Sequence, residues 1–372
     1  MGESKMRERE YNYDWLRVCS MIAVIMIHVS TTWVGGFSAA VRNGGEVASL
    51  LHPLVACVYN SISRFAIPCF LMLSGAFIIG NSKNSDWKYF YKKSFNKLGI
   101  PTIIFSILYI LYRMVFSFTG EQQVIRSIIA IAKDTVKGSP FYHLWYLYML
   151  AEIYLMAPFV IKFKDDITYA KFRKVAIAFL MVAGISAWSS VARLSWDIGN
   201  SFEYLSYFMM GYVLREDARK SNLKGSALIA AGLLIEVATS FVEYHFQVVS
   251  GIDELGLKFQ ILSPFAPPIV AASVLIFMGF ARLNVRYNKW MEQLAALSFT
   301  IYLIHAGVWV FLRKMIAIAK GDNFLVMNTD NAWMIPASVL VVLLLSLILS
   351  NIYEKIYGAF KDRLELKLSA RC

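Results

Sequence analysis

The chain has little charge: only 17% of its 372 residues are Asp, Glu, Lys or Arg, against 58% that are hydrophobic. A soluble domain carries roughly a quarter of its residues as charges. The mean hydropathy of +0.54 points the same way, so water is excluded as the main solvent. Cysteine is scarce as well. Cys19, Cys57 and Cys69 fall inside apolar stretches and Cys372 is the last residue, a spacing that suits neither a disulfide framework nor a metal and reads as packing. No His/Cys/Asp/Glu cluster has ligand spacing, so no metal is expected. Internal repeats, low-complexity tracts and an appended soluble domain find no support in the pattern.

Acidic residues are outnumbered, leaving a formal net charge of +12. Nucleic-acid binding would need those cations clustered on one soluble face. Here they sit in short stretches between apolar runs, so no nucleic-acid partner is expected and the bilayer explains them better. Met1–Glu10 leads straight into a full-length apolar run with no small-residue cleavage site, so the first span is expected to be an anchor rather than a cleaved leader.

Crossing the hydrocarbon takes roughly 20 apolar residues per helix. Such runs recur at 13–34, 52–79, 97–118, 141–161, 175–192, 199–214, 225–243, 263–281, 292–312 and 333–353. Basic residues alternate between them. Lys83, Lys88, Lys92, Lys93 and Lys97 crowd one loop while Arg42 stands alone in the one before; Lys162, Lys164, Lys171, Arg173 and Lys174 contrast with Arg193, and Arg215, Arg219, Lys220 and Lys224 with Lys258. Lys5, Arg7 and Arg9 at one end and Lys355, Lys361, Arg363, Lys367 and Arg371 at the other put both termini on the basic, cytosolic side. The expected fold is an all-α polytopic integral membrane protein with about ten transmembrane helices. It comprises a cytosolic N-terminal segment at 1–12, a transmembrane domain at 13–355 and a cytosolic tail at 356–372. Between Thr119 and Pro140, Val124, Ile125, Ile128, Ile129 and Ala132 recur at helical spacing and predict a short interfacial helix.

A titratable side chain at bilayer depth costs on the order of 3 kcal/mol or more, so each needs a partner, a wet cavity or a job. Arg17, His28, Arg64, Glu152, Glu203, Glu236 and His305 are in that position. The first span is the most informative. Its eleven-residue step from Arg17 to His28 returns to within about 20° of the same face, about 16 Å along the axis. Asp14, three residues before Arg17, can pair with it. This arrangement suits a donor with phosphates at the cytosolic face and a reactive end reaching mid-membrane, as coenzyme A and its pantetheine arm do. Arg binds phosphate through a fork and a neutral imidazole can act as general base. The alternatives are an Arg17 that snorkels to headgroups and a His28 that only bridges helices.

Arg64 lies midway along the second run, too deep to snorkel, and is expected to face a ligand phosphate or a structural carboxylate, Glu152 or Glu203. Pro68 and Ser74-Gly75 are expected to kink that helix or admit another backbone. His143 and Trp145 open the fourth run, where aromatics form either an interfacial belt or a platform for a sugar. Tyr302 and His305 share a face of the ninth run.

Taken in order, Asp14…Arg17…His28, Arg64-Phe65-Ala66-Ile67-Pro68…Phe70…Ser74-Gly75, His143-Leu144-Trp145 and Ser298…Ile301-Tyr302-Leu303-Ile304-His305 resemble the polytopic acyltransferase-3 family, bacterial membrane enzymes that O-acylate surface and secreted carbohydrates. Length and span pattern resemble single-domain members, such as those that O-acetylate the enterobacterial common antigen. The resemblance implies His28 as the catalytic histidine, Arg17 as a donor-binding arginine, acetyl-CoA as the usual acyl-CoA donor, and a carbohydrate or lipid-linked glycan as acceptor in the bacterial inner membrane. Many members carry paired arginines just before a proline after the second span. Here Lys92-Lys93-Ser94-Phe95-Asn96-Lys97-Leu98-Gly99-Ile100-Pro101 offers Lys93 and Lys97 instead, which attract phosphate as point charges. On this reading His28, Arg64, Tyr302 and His305 are the catalytic candidates. Asp14, Arg17, Lys93 and Lys97 bind the donor, and His143, Trp145 and Glu152 the acceptor. The rival reading is a membrane transporter of sugar-related or lipid-linked solutes, where intramembrane Arg, Glu and His are equally at home.

Overall fold

A computed structural model describes residues 10–42, 51–117, 121–188, 199–250, 261–320 and 334–369. No strand occurs among them. In chain order the helices are α1 (Tyr11–Arg42), α2 (Leu51–Ser61), α3 (Ala66–Ile78), α4 (Trp87–Ser94), α5 (Ile100–Ser117), α6 (Glu121–Val136), α7 (Trp145–Asp166), α8 (Tyr169–Trp188), α9 (Gly199–Ala218), α10 (Gly225–Glu243), α11 (Pro267–Ala281), α12 (Lys289–Lys320) and α13 (Met334–Ser369). Within the described residues, nine of the ten expected apolar runs each fall on one helix and the second falls on two. Among the described residues, seven stretches are long and apolar enough to span a bilayer, and Pro267–Ala281 is a shorter apolar helix. The calls on Arg193, Lys258 and the first nine residues fall outside the described residues.

The residue pattern is that of a protein whose solvent is lipid. α13 exposes Leu340, Leu344, Ile348, Ile352 and Ile356, a row of large aliphatics at a spacing of four, while it buries Ser346 and Ser350. α7 and α8 likewise expose Leu155, Phe159, Met181 and Ile185. Apolar outside with polar inside is stable only where the surroundings are hydrocarbon. The chain is therefore an all-α, multi-pass membrane protein.

Three boundaries differ from the sequence pattern. The second run is not one kinked helix: it breaks at Ile62–Phe65, where Ser63, Arg64 and Ala66 bond back three residues rather than four. Pro68 has no N–H to give the Arg64 carbonyl and its ring crowds that carbonyl, so the ladder fails one turn upstream. The lysine-rich stretch expected as a loop is helical: Asp86 accepts from the Lys88 and Tyr89 N–H groups at 3.0 and 3.2 Å to start α4. A π-turn at Phe95–Gly99 joins it to α5, just ahead of Pro101, which cannot donate to the Lys97 carbonyl. Helix α13 also runs on to Ser369 through residues expected as a tail. The helix expected between Thr119 and Pro140 is α6.

Two compact units share the chain. The first contains Met1–Ile67, Ala218–Asp253 and Ala271–Cys372. There α1 packs on α2, α12 and α13, and α10 on α2. Met21, Ile25, Val29, Trp33 and Phe37, at a spacing of four, are buried and make the seam of α1. Trp33 stacks on Trp309 at 6.1 Å, and Asn12 Nδ2 donates to the Phe280 and Ala281 carbonyls at 3.0 and 3.1 Å, closing the end of α11.

The second unit contains Pro68–Asp217 and Glu254–Val270. Its helices α3 and α9 touch backbone to backbone: a Cβ on Gly75 would lie 1.7 Å from the Phe208 carbonyl oxygen, and one on Gly211 1.9 Å from that of Met72. Small residues permit this approach, which a membrane helix pair needs because apolar burial gives no drive in lipid. Arg215, buried beside the crossing, donates to the Ala76 carbonyl at 2.9 Å and lies over the Phe77 ring. Gly75→Ala and Gly211→Ala are each expected to destabilise the detergent-purified protein by about 2 kcal/mol. Gly35→Ala, with nothing within 4 Å of the added methyl, should leave the midpoint unchanged or higher; thermal unfolding followed by intrinsic fluorescence compares the three.

Candidate active site

α1 carries three of the expected residues on one helix. Near its start Arg17 Nη1 donates to Asp14 Oδ1 at 3.1 Å, and Asp14 is 6% exposed while the Arg17 side chain keeps 32% of its surface. The carboxylate holds the guanidinium and leaves part of its fork outward. Three turns on, His28 is partly accessible and its ring stacks on that of His305 with centroids 5.3 Å apart and planes at 30°. His28 meets His305 and Trp33 meets Trp309 in the same order along both helices, as in a parallel pair.

His305 is buried, and its Nδ1 donates to the Tyr302 carbonyl at 2.6 Å. A carbonyl only accepts, so the proton sits on Nδ1 and, in the neutral ring, the lone pair sits on Nε2. The Tyr302 ring lies 5.6 Å from that imidazole. α12 therefore sets His305 against the histidine of α1, with Tyr302 beside the His305 ring on the same face, the face that their three-residue spacing predicts.

The break between α2 and α3 places Arg64 beside this pair, within electrostatic reach of His28. Glu152, one of the two carboxylate partners expected for Arg64, is bonded to Ser201; a different carboxylate meets the arginine. Glu236 of α10, fully buried, lies in electrostatic contact with it, and its Nη2 donates to Asn60 Oδ1 at 2.9 Å. Asn60 Nδ2 in turn donates to Glu243 Oε1 at 2.6 Å, and Ser61 Oγ to Glu243 Oε2 at 3.0 Å. Proximity explains the change of partner, since α10 packs directly on α2.

Asn60 and Glu243 do not stand out in the sequence, since Asn60 lies in an apolar run and Glu243 closes another. The signal is periodic: Glu236, Thr239, Ser240 and Glu243 stand at i, i+3, i+4 and i+7, and all four are buried. A polar stripe at helical spacing in an otherwise apolar span marks an inward face.

The other expected residues belong to the second unit. His143 is buried edge-on to Tyr109 and Phe141, at 5.2 and 5.6 Å. Trp145 begins α7 and leans on Tyr204 at 5.7 Å. Glu152 accepts a hydrogen bond from Ser201. Lys93 lies over the Tyr89 ring, and Lys97 is exposed on the π-turn. No group of three or more potential metal ligands occurs among the described residues.

His28, His305 and Arg64 thus place a proton acceptor and a cationic hydrogen-bond donor together inside a lipid-facing bundle. Such a set can take a proton from a nucleophile and stabilise a developing oxyanion. The profile of the acyltransferase 3 family, described as an acyltransferase domain, matches residues 10–351. Searches among curated proteins and among solved structures find no match. With the match spanning nearly the whole sequence, the chain belongs to the acyltransferase 3 family and is a membrane acyltransferase.

Proposed function

We propose that the protein moves an acetyl group from acetyl-CoA to a hydroxyl of a cell-surface or lipid-linked carbohydrate at the bacterial inner membrane. The observation that supports this best is the layout of α1, with a held Arg17 at its start and His28 three turns on against His305 and Arg64. The alternating basic residues support cytosolic termini, which puts Arg17 on the side where acyl-CoA is available. Arg17 takes the phosphates of the donor by forked hydrogen bonds, with Lys93 and Lys97 adding charge attraction. The acceptor sugar is assigned to the His143 and Trp145 rings and to Glu152.

In the transfer, the acceptor hydroxyl oxygen attacks the thioester carbonyl carbon while the His28 imidazole takes its proton. Arg64 stabilises the tetrahedral oxyanion. The intermediate collapses with cleavage of the C–S bond, and the CoA thiolate leaves with the proton from His28. If His28 is acylated first, the same thioester bond breaks and the hydroxyl then attacks the acyl-imidazole. An acid-quenched digest that carries acetyl on the His28 peptide selects the second route.

The test is CoA release from acetyl-CoA, and acetyl-CoA binding, in folded, detergent-purified protein. His28→Ala is expected to lower turnover at least about 10³-fold while donor still binds, and Arg17→Ala to raise KM for acetyl-CoA about tenfold with a smaller change in kcat. Wild type that neither binds nor consumes an acyl-CoA overturns the donor assignment. Arg64→Lys, which keeps the charge and loses the planar fork, is expected to lower kcat about 10²-fold with KM nearly unchanged, read in the same assay.

A further inference from the structure

The carboxylate of Glu243 lies at the end of α10, and both of its oxygens are occupied by α2: Oε1 by Asn60 Nδ2 at 2.6 Å and Oε2 by Ser61 Oγ at 3.0 Å. Asn60, Ser61 and Glu243 are 1%, 0% and 2% exposed, so water does not compete for these bonds. On its other side the Asn60 carboxamide accepts from Arg64 Nη2 at 2.9 Å. A carboxylate only accepts and a guanidinium only donates, so the carboxamide between them has one permitted orientation. The opposite orientation would turn its NH₂ on the guanidinium and its oxygen on the carboxylate, two repulsive contacts inside a dry interior.

We propose that Glu243 is a positioning residue: its carboxylate sets the orientation of Asn60, which holds the Arg64 guanidinium beside His28. The bulk of α10 supports this role. Thr239 and Ser240 spend their hydroxyls on carbonyls of their own helix at 2.9 and 2.6 Å, whereas Glu243 bonds outward to the turn that carries Arg64. Right after Glu243 the helix loosens into a π-turn at Tyr244–Val249, which packs against α1 and α2. A π-turn shifts the register by one residue and re-aims the side chains at a helix end. Arg64 is itself on a break rather than within a helix, so helical backbone geometry does not fix its direction. The relay through Asn60 to Glu243 supplies that constraint.

The inference rests on the acyltransferase reading for what Arg64 does in the reaction, but the relay is tested separately from it. Two readouts on purified protein serve. One is CoA release from acetyl-CoA, resolved into kcat and KM; the other is the rate of carbethoxylation of His28 by diethyl pyrocarbonate across pH, followed on its own peptide by mass spectrometry. Asn60→Asp removes the amide donor and sets two carboxylates against each other. Combined with Glu243→Gln it rebuilds the chain in reverse, the new amide donating to the new carboxylate, which still accepts from Arg64. Asn60→Asp is expected to lower kcat about tenfold with KM for acetyl-CoA little changed and to shift the His28 modification profile, and the double variant to recover most of both. Glu243→Ala, which frees the carboxamide, should move the His28 profile as well and carries the test if Asn60→Asp does not fold. A double variant no better than Asn60→Asp, or a His28 profile identical to wild type in Glu243→Ala, overturns the relay. Wild type that releases no CoA sinks the donor assignment alone, because the His28 profile still decides whether Glu243 acts on the site.

Discussion

Inside a membrane protein a guanidinium has no water to turn to, and the arrangement of the first unit follows from how Arg64 is held. Pro68 removes the N–H that would bond the Arg64 carbonyl, so the chain leaves helical geometry at Ile62–Phe65 and presents the arginine inward. Glu236 faces its charge, Asn60 takes one arm of the fork, and Glu243 with Ser61 closes the network. Along the chain from Arg64 Nη2 through Asn60 to Glu243 and Ser61, each bond joins a donor to an acceptor, the condition under which a buried polar network is tolerated. The stacked His28 and His305 then lie beside a cation of fixed direction.

Each unit is held by its own packing. Parallel α1 and α12 pack through a large aliphatic and indole seam ending in the Trp33–Trp309 stack, which sets the spacing of the two imidazoles. In the second unit, Gly75 and Gly211 allow α3 and α9 to touch along their backbones, where dispersion and close contact replace the hydrophobic drive that lipid cannot provide. The outward rows of aliphatics on α7, α8 and α13 face the hydrocarbon and carry no specificity of their own.

Much of the site was legible because helical periodicity is strict. The eleven-residue step from Arg17 to His28 and the three-residue step from Tyr302 to His305 each predict a shared face, and the second is seen in the contact of the Tyr302 and His305 rings. Asp14 takes Arg17 as its spacing requires. Partners across helices were a different matter: Arg64 is matched to Glu236 and Asn60, not to Glu152, which instead receives Ser201. Asn60 and Glu243 are unremarkable in one dimension, and only the polar stripe Glu236, Thr239, Ser240 and Glu243 hints at an inward face. The effect of Pro68 was legible in kind but not in place, as the break lies a turn before it.

The sequence by itself determined the solvent, the all-helical class and the helices that carry the chemistry, because hydropathy over about 20 residues and a 3.6-residue period are local properties. It also determined the pairing of residues within a helix, since i, i+3 and i, i+11 geometry needs no neighbour. Which helices meet is a long-range property, decided by packing after the spans have formed. That is why only the tertiary structure could set His28 against His305, turn Arg64 toward α10 and join Asn60 to Glu243 across 183 positions of chain.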